Sequence, residues 1–339
     1  MNLLPTGLSF ATFAARVALA CAAPALAGCM TLGMGSMIVP AAAALASREP
    51  PREAGDPPGT REHSRALAGE PRVALVLGGG SMRGFAHVGV VAALEAAGIR
   101  PVLIVGTSAG SMVGALSAAG LSAAQIELAS RELDWTVLAD FALPRRGLVG
   151  GEGVEAFIRR HVDGRAIESF PIAFAAIATD ARTGDAVVLD RGDAATAVRA
   201  SSSIPVVFEP VSARGRMLVD GGLSAPTPVR LARELGADVV IAVNVAWSPE
   251  EARLYNPLDM LFQALQLMAH NLNRAELAQA DVVIAPDIGS LGAIGTGSRG
   301  ALIRQGEKAG REALPAIRDS LQAWRTRHAQ ALAPASGNP

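Results

Sequence analysis

The stretch from Val73 to Leu116, VALVLGGGSMRGFAHVGVVAALEAAGIRPVLIVGTSAGSMVGAL, contains the same pattern twice: an apolar run, a glycine-rich turn and a helix-like segment. Both apolar runs contain β-branched residues, as buried strands do. Two successive strand–turn–helix units are typical of an α/β protein, whose functional residues lie at the carboxyl ends of its strands. The stretch therefore predicts the fold class and makes its two turns the candidate sites.

The same alternation continues along the rest of the chain. Further strand-like runs are VLIVG, IAFAAIA, AVVLD, RMLVD, DVVIAVNV and DVVIA, separated mostly by amphipathic stretches. This pattern predicts a mostly parallel sheet covered by helices on both faces. One domain over residues 71–325 accounts for it, and residues 326–339 are expected to form a disordered tail.

The composition excludes some classes of function. The 339 residues are 50% hydrophobic, which is enough for a large core. A net charge of -1 leaves no basic excess for a phosphate backbone, so no nucleic-acid partner is expected. Cys21 and Cys29 both lie near the N-terminus, and no His, Asp or Glu cluster has metal-ligand spacing. We therefore expect no metal and no cofactor.

The N-terminal residues have the pattern of a secretory signal over residues 1–28, too short and too interrupted for a membrane span. Its end, Leu-Ala-Gly before Cys29, resembles the lipobox of bacterial lipoproteins, which predicts cleavage there and acylation of the thiol, for example by palmitate. Residues 29–70 would then be a tether on the periplasmic side of a bacterial envelope. Because Met30 is not Asp, the outer membrane is favoured over the inner. The alternative is an ordinary signal with a chance cysteine.

The first glycine-rich turn, GGGSMRG at residues 78–84, is suited to negative charge. Glycines let backbone N–H groups face outward, and the following helix adds its positive end. The spacing fits neither a dinucleotide fingerprint nor a P-loop. A phosphate cradle, an oxyanion hole and a simple tight turn remain as alternatives.

The second turn, Gly106-Thr107-Ser108-Ala109-Gly110, matches the G-x-S-x-G nucleophile elbow. The small residues allow the sharp bend that exposes the Ser108 hydroxyl at a helix N-terminus. Such a serine needs a base and an oxyanion hole, and the first turn can supply the hole because both turns follow strands of one sheet.

A carboxylate is a better candidate base than any histidine. None of the five histidines follows a strand, and His270 lies within a long helical pattern. Asp220 instead ends the strand-like run RMLVD and precedes two glycines, which permit close backbone approach. A plain Asp-Gly turn is the alternative interpretation of this motif.

Taken together, the motifs resemble those of bacterial patatin-like phospholipases. The order GGG-x-x-R-G, GTSAG and DGG is that of the family, and AVRASSSIPVVFEPV, from Ala197 to Val211, is similar to the segment before its aspartate. The similarity extends over about Val73 to Ile288. It implies a three-layer α/β/α fold and a catalytic dyad, with Ser108 as nucleophile and Asp220 as general base.

The resemblance also assigns the first turn. Gly79, Gly80 and the amide of Ser81 would form the oxyanion hole, with Arg83 bracing the loop. Many members have glycine where this chain has Ser81, so a serine there would be strained if that position needs a positive φ.

The function implied is hydrolysis of acyl esters of lipids, such as phospholipids or lysophospholipids, by a membrane-anchored enzyme. Two alternatives remain. The first is an α/β-hydrolase with a Ser-His-Asp triad, in which His270 would be the base. The second is an inactive lipoprotein that keeps the fold as a binding or scaffolding module.

Overall fold

The computed structural model describes residues 70–133, 147–246, 257–289, 291 and 298–332. The proposed signal segment, Cys29 and all of the tether except Glu70 lie outside these residues. The described strands are β1 (Val73–Leu77), β2 (Leu103–Thr107), β3 (Gly147–Val149), β4 (Ala173–Asp180), β5 (Ala186–Leu189), β6 (Val206–Phe208), β7 (Val211–Ala213), β8 (Arg216–Asp220), β9 (Val239–Val243) and β10 (Val282–Ile284).

The described α-helices are α1 (Phe85–Ala96), α2 (Ala109–Ala118), α3 (Ala123–Ser130), α4 (Glu152–His161), α5 (Ala194–Ser201), α6 (Val229–Glu234), α7 (Pro257–Leu277) and α8 (Arg299–Leu332). Short 3-10 turns at Ser81–Gly84 and Gly221–Leu223 follow β1 and β8. Within the described ranges, no helix combines the length and the apolar character needed to cross a bilayer.

The main sheet has eight strands, seven of them in the order β10-β9-β1-β2-β4-β8-β7, with β5 also paired to β4. The five strands from β10 to β4 are parallel, whereas β5, β8 and β7 join by antiparallel pairing. All the runs predicted as strands are strands, and the expected mostly parallel α/β sheet is confirmed. The short strands β3 and β6, which pair with each other, and β7 were not predicted.

Alternate residues of β1 pack on opposite faces of the sheet, as the period of a strand requires. Leu75 and Leu77 belong to a large core that contains buried residues of α1, α2 and α8. Ala74 and Val76 belong to a second, smaller core with α6, against which Leu277 of α7 packs. The sheet is therefore the middle of three layers.

Helix α8 corrects the expected domain end. It continues to Leu332, so residues 326–332 are helical rather than part of a disordered tail. His328 stacks on Trp324, four residues earlier, with ring centroids 4.5 Å apart. Arg325 also forms a salt bridge of 2.7 Å with Glu70. These side-chain contacts lie in the last turns of the helix.

Candidate active site

Ser108 occupies a sharp turn between β2 and α2, with φ 52° and ψ -124°. This conformation is rare for a residue with a side chain and is found mainly where the surroundings impose it. Gly106 and Gly110 make the turn possible, because a Cβ on Gly106 would lie 2.6 Å from the carbonyl oxygen of Gly110. A Cβ on Gly110 would overlap the carbonyl oxygen of Leu77, at the end of β1. The strained turn thus depends on both glycines.

Hydrogen bonds fix the backbone of Ser108 on both sides. Its amide donates to Oγ of Ser201 at 2.9 Å, and that hydroxyl donates to the carbonyl oxygen of Ile177 in β4 at 2.5 Å. Its carbonyl oxygen accepts from the amide of Ser111 at 2.8 Å and from the hydroxyl of Ser111 at 2.7 Å. The conformation of Ser108 is therefore held by β4, α5 and α2 together.

Strand β4 brings Asp220 to Ser108. Thr107, the last residue of β2, pairs with Ile177, and Asp220, the last residue of β8, pairs with Ala178. Strand β5 pairs with both of these β4 residues, so it fills one edge of β4 there. Both β2 and β8 must therefore lie on the other edge, where they meet end to end.

The backbone of Asp220 is also fixed. Its amide donates to the carbonyl oxygen of Ser203 at 2.8 Å, and its carbonyl oxygen accepts from Oγ1 of Thr179 at 2.9 Å. Oδ1 of its carboxyl accepts from the amide of Gly222 at 2.7 Å. In the part of the chain that the structure describes, Oδ2 is buried and has no partner in hydrogen-bonding geometry. One carboxyl oxygen is thus held while the other is left for a further donor.

Burial raises the pKa of Asp220 from 3.8 to about 6. Smaller effects lower its pKa, namely hydrogen bonding by the Ser108 side chain and by the Gly222 amide. The Ser108 hydroxyl is therefore close enough to act on this carboxyl, although the contact lies outside strict hydrogen-bonding geometry. Contacts of this kind are often long in enzymes without substrate. A carboxyl with this pKa is charged at neutral pH and is a much better base than an ordinary aspartate.

The glycine turn packs against Ser108. A Cβ on Gly79 would lie 3.4 Å from Cβ of Ser108. The amide of Gly79, however, donates to the carbonyl oxygen of Pro226 at 2.9 Å. The expectation that Gly79 contributes an oxyanion donor is therefore not met in this structure, because its N–H group is already used.

Other amides near Ser108 are better candidates. Among the described residues, no acceptor binds the amides of Gly80, Ser81 or Ala109. Ala109 is the first residue of α2, where the N–H groups have no partner within the helix. A Cβ on Gly84 would lie 2.5 Å from Cβ of Ala109, so the two turns are in close contact. Together they present unpaired donors beside Ser108.

Ser81 has a φ of 50°, in the left-handed region that favours glycine. Ser81 therefore has the positive φ at which a serine is expected to be strained. A left-handed residue with a side chain costs about 1–2 kcal/mol. Ser81 in the first turn and Ser108 in the second thus both have unusual backbone conformations.

Arg83 is buried and braces the glycine turn from below. Its Nη1 donates to the carbonyl oxygen of Ala246 at 2.9 Å, and its Nε donates to that of Leu291 at 3.4 Å. Nη2 donates to the carbonyl oxygen of Gly289. One guanidinium therefore ties the turn to the segments after β9 and β10, as expected of a bracing residue.

The described histidines lie elsewhere or have other roles. The ring of His87 in α1 is fully buried, and its Nε2 bonds the carbonyl oxygen of Gly78 at 2.8 Å. Burial lowers the pKa of His87 to about 4, so the ring is neutral and Nε2–H is the donor. His161 bonds the carbonyl oxygen of Phe157, and His270 lies within α7. None of these rings is a hydrogen-bond partner of Ser108 or Asp220.

The sequence did not show that several residues position Ser108, Asp220 and the glycine turn. The hydroxyl of Ser201 accepts a hydrogen bond from the amide of Ser108. His87 supports the glycine turn, and Thr179 supports Asp220. The only sequence signal for Ala109 as a candidate oxyanion donor was its place directly after the elbow serine. Among the described residues, no group of three or more His, Cys, Asp or Glu could hold a metal ion.

Comparisons with known proteins agree with this geometry. The family model for patatin-like phospholipase matches residues 75–233. An uncharacterised NTE family protein of Mycobacterium tuberculosis is 39% identical over 177 residues, 52% of this chain and 49% of that protein. A second one from the same organism is 30% identical over 283 residues, 76% of this chain and 48% of that protein. The chain thus spans about half the length of these relatives.

A rat protein and a solved bacterial structure extend the comparison. Patatin-like phospholipase domain-containing protein 7 of Rattus norvegicus is 36% identical over 206 residues, 58% of this chain and 15% of that protein. The crystal structure of VipD from Legionella pneumophila aligns with a TM-score of 0.52, covering 75% of this chain and 69% of that one. At 14% identity, VipD shows a shared fold only. With the family model and the mycobacterial relatives, the motifs and the fold show that residues 75–233 of this chain form a patatin-like phospholipase domain.

Proposed function

We propose that this chain hydrolyses acyl esters of lipids with Ser108 as nucleophile and Asp220 as general base. The observation that carries the proposal is the meeting of β2 and β8 on one edge of β4, which puts a buried carboxyl beside the elbow serine. The match of residues 75–233 to the patatin-like phospholipase family supports a lipid ester as substrate. The amides of Gly80, Ser81 and Ala109 are the proposed oxyanion donors.

The chemistry follows from these positions. Oγ of Ser108 attacks the ester carbonyl carbon while its proton passes to the carboxylate of Asp220. The carbonyl oxygen becomes negatively charged and is stabilised by the free amides. As the tetrahedral intermediate collapses, Asp220 returns the proton to the leaving alcohol, and an acyl chain remains on Ser108. Water then attacks the acyl-enzyme and gives a proton to Asp220, which passes it to the departing Ser108 oxygen.

The raised pKa of Asp220 suits this role. A general base is most effective when its pKa lies near the working pH, and burial moves this carboxyl to about 6. The unpaired Oδ2 is the atom proposed to take the proton, since Oδ1 is held by Gly222. A histidine is not required between serine and carboxylate in this geometry.

An active-site label tests the proposal. A fluorophosphonate reacts with an activated serine, so the wild-type chain should be labelled and mass spectrometry should find the adduct on Ser108. Ser108→Ala should abolish both labelling and hydrolysis of a lipid ester. The matched control is Ser117→Ala, in the same helix that follows the elbow, which should keep both. A folded wild-type chain that neither reacts with the label nor hydrolyses the ester would favour a non-catalytic binding role.

We also propose that the full chain is anchored on the periplasmic side of a bacterial envelope, at the outer membrane, by acylation of Cys29. The support is the Leu-Ala-Gly-Cys sequence at the end of the signal-like segment. Expression in bacteria fed an alkyne fatty acid should label the protein, and Cys29→Ser should remove the label. Cys21→Ser is the control that should keep it. A label that survives Cys29→Ser would place the modification elsewhere.

A further inference from the structure

Helix α7 has an unusual distribution of polar and apolar residues. Its exposed face carries large apolar side chains, with Met268 61%, Met260 54% and Leu267 46% exposed. Leu261 and Leu272 lie on the same side. Its buried residues, in contrast, include Asn273 and Glu276. A helix at the surface of a soluble protein normally has the opposite arrangement.

The buried polar residues hold α7 against the active-site side of the domain. Nδ2 of Asn273 donates to Oδ1 of Asn244 at 2.9 Å, and Asn244 directly follows β9. Oε2 of Glu276 accepts from the amide of Arg230, near the start of α6, at 2.8 Å. These two bonds hold the polar side of α7 against the domain, so its apolar side chains face outward.

The course of α7 places its apolar face beyond the edge of the sheet that carries Ser108. Asn273 lies level with the end of β9, while the amide of Asp281, just after the helix, donates to Val240 near the start of β9. From Asn273 onward the chain therefore runs antiparallel to β9, and residues 257–272, about 24 Å of helix, approach from beyond the carboxyl edge. β9, β1 and β2 are parallel, so Ser108 lies at this same edge.

The apolar face also lacks charge. From Met260 to Asn273 the sequence MLFQALQLMAHNLN contains no Asp, Glu, Lys or Arg. Twelve of these positions are described as exposed or half-exposed. A helix face of this size without a formal charge is poorly matched to water and well matched to the acyl region of a lipid surface.

We propose that the exposed face of α7 inserts into a lipid bilayer and orients the carboxyl edge of the sheet toward it. The proposal rests on the proposed function, because a lipid surface carries the acyl ester to the edge where Ser108 lies. A second copy of the chain seated on this face would instead cover the approach to that edge. Apolar helix faces of this kind bind about 5–10 Å deep in the interface without crossing the membrane.

The proposed anchor is compatible with this orientation. Glu70, the first described residue, precedes β1 and therefore lies at the edge opposite to Ser108. A chain anchored at Cys29 must pass around the domain before α7 can face the same membrane. Residues 29–69 reach up to about 140 Å when extended, which is more than enough.

Depth-dependent quenching tests the contact directly. The full chain with Cys21→Ser and Cys29→Ser is bound to phosphatidylcholine vesicles and carries bimane on Met268→Cys or on the matched control Leu128→Cys. Leu128 is equally exposed but belongs to α3, on the other face of the sheet. Nitroxide on the lipid acyl chain should quench the Met268 probe at least twofold more than the Leu128 probe, and aqueous iodide should do the reverse.

Two results would overturn the proposal. Iodide could quench both probes equally, which would mean that α7 stays in water. The Met268 probe could also be shielded from both quenchers, which would mean that protein covers this face. Both measurements are independent of catalysis, so they remain decisive if the chain hydrolyses no ester.

A kinetic comparison links the contact to turnover. Met268→Asp should lower the ratio of the rate on vesicle-borne ester to the rate on a dissolved short-chain ester about tenfold, since a charge opposes insertion. Leu128→Asp should change that ratio less than twofold. An equal ratio in both variants, with native circular dichroism, would contradict the proposed role of α7. Absence of wild-type activity on both esters would instead contradict the proposed function.

Discussion

Ser108 directly follows β2, and Asp220 is the last residue of β8. These two strands run in opposite directions and stop at neighbouring residues of β4. Thr107 pairs with Ile177, and Asp220 with the next residue, Ala178. Backbone hydrogen bonds of one strand thus set the separation of the two side chains. Few flexible torsions remain between the two side chains. Such preorganisation lowers the entropic cost of reaching a reactive geometry.

The first prediction concerns the general base. Asp220→Asn should lower turnover of a dissolved ester by about 10²–10⁴-fold, because the proton of Ser108 loses its acceptor. His270→Ala, in α7, should leave the rate within about twofold. Steady-state kinetics on purified, folded variants provide the measurement. Equal losses in both variants would point to a triad instead of a dyad.

The second prediction concerns the pH dependence of kcat/KM. Asp220 acts as a base only when its carboxyl is deprotonated, and burial raises its pKa to about 6. The value of kcat/KM should therefore rise as the pH increases through about 6 and level off above it. A profile with its acid limb near 4 would show that the carboxyl is not desolvated in solution.

The third prediction concerns stability, to which Asp220 and His87 contribute with opposite signs. The pKa of Asp220 is raised from 3.8 to about 6, so the folded state binds the extra proton and gains stability as the pH falls through that window. The pKa of His87 is lowered from 6.5 to about 4, so the folded state loses stability as the pH falls through a similar window. In the wild-type chain the two contributions largely cancel.

Asp220→Asn should remove this cancellation. The variant should be more stable than wild type at pH 7, by on the order of 3 kcal/mol, since it buries no charge. Its free energy of unfolding should then fall toward that of wild type between pH 6.5 and 4. Urea unfolding of both proteins across this range gives the difference, and a difference that does not vary with pH would refute the opposed contributions.

The fourth prediction concerns the strained residue in the glycine turn. Ser81→Gly should stabilise the fold by about 1 kcal/mol, because glycine adopts a φ of 50° without steric cost. It should retain activity, since the proposed oxyanion donor is the amide. Ser81→Val should be less stable than wild type, because β-branched residues are least tolerant of positive φ. Lower stability in Ser81→Gly would show that the serine side chain itself contributes.

The sequence predicted the frame of the site because its signals are local. The strand runs, the GTSAG elbow and the Asp-Gly-Gly turn each depend on neighbours within a few residues. The oxyanion donors were predicted less well. Whether the amide of Gly79 is free depends on the carbonyl oxygen of Pro226, which is distant in the chain and reaches the turn only through the fold.

Other features were missed for related reasons. Strands β3, β6 and β7 have three residues each, too few to show the alternation that marks a strand. The last turns of α8 are polar, so their sequence resembles a frayed end. The inverted polarity of α7 could not be recognised from periodicity, because periodicity does not tell which face of a helix meets the core.

The bracing of Arg83 has a consequence for the newly made protein. Its acceptors at Ala246, Gly289 and Leu291 are synthesised long after the turn that they hold. Strand β1 likewise has a partner on its second edge only after β9 has been synthesised. Contacts between such distant segments form late and slowly. A ribosome-bound chain therefore carries Ser108 well before the glycine turn beside it can be braced by Arg83.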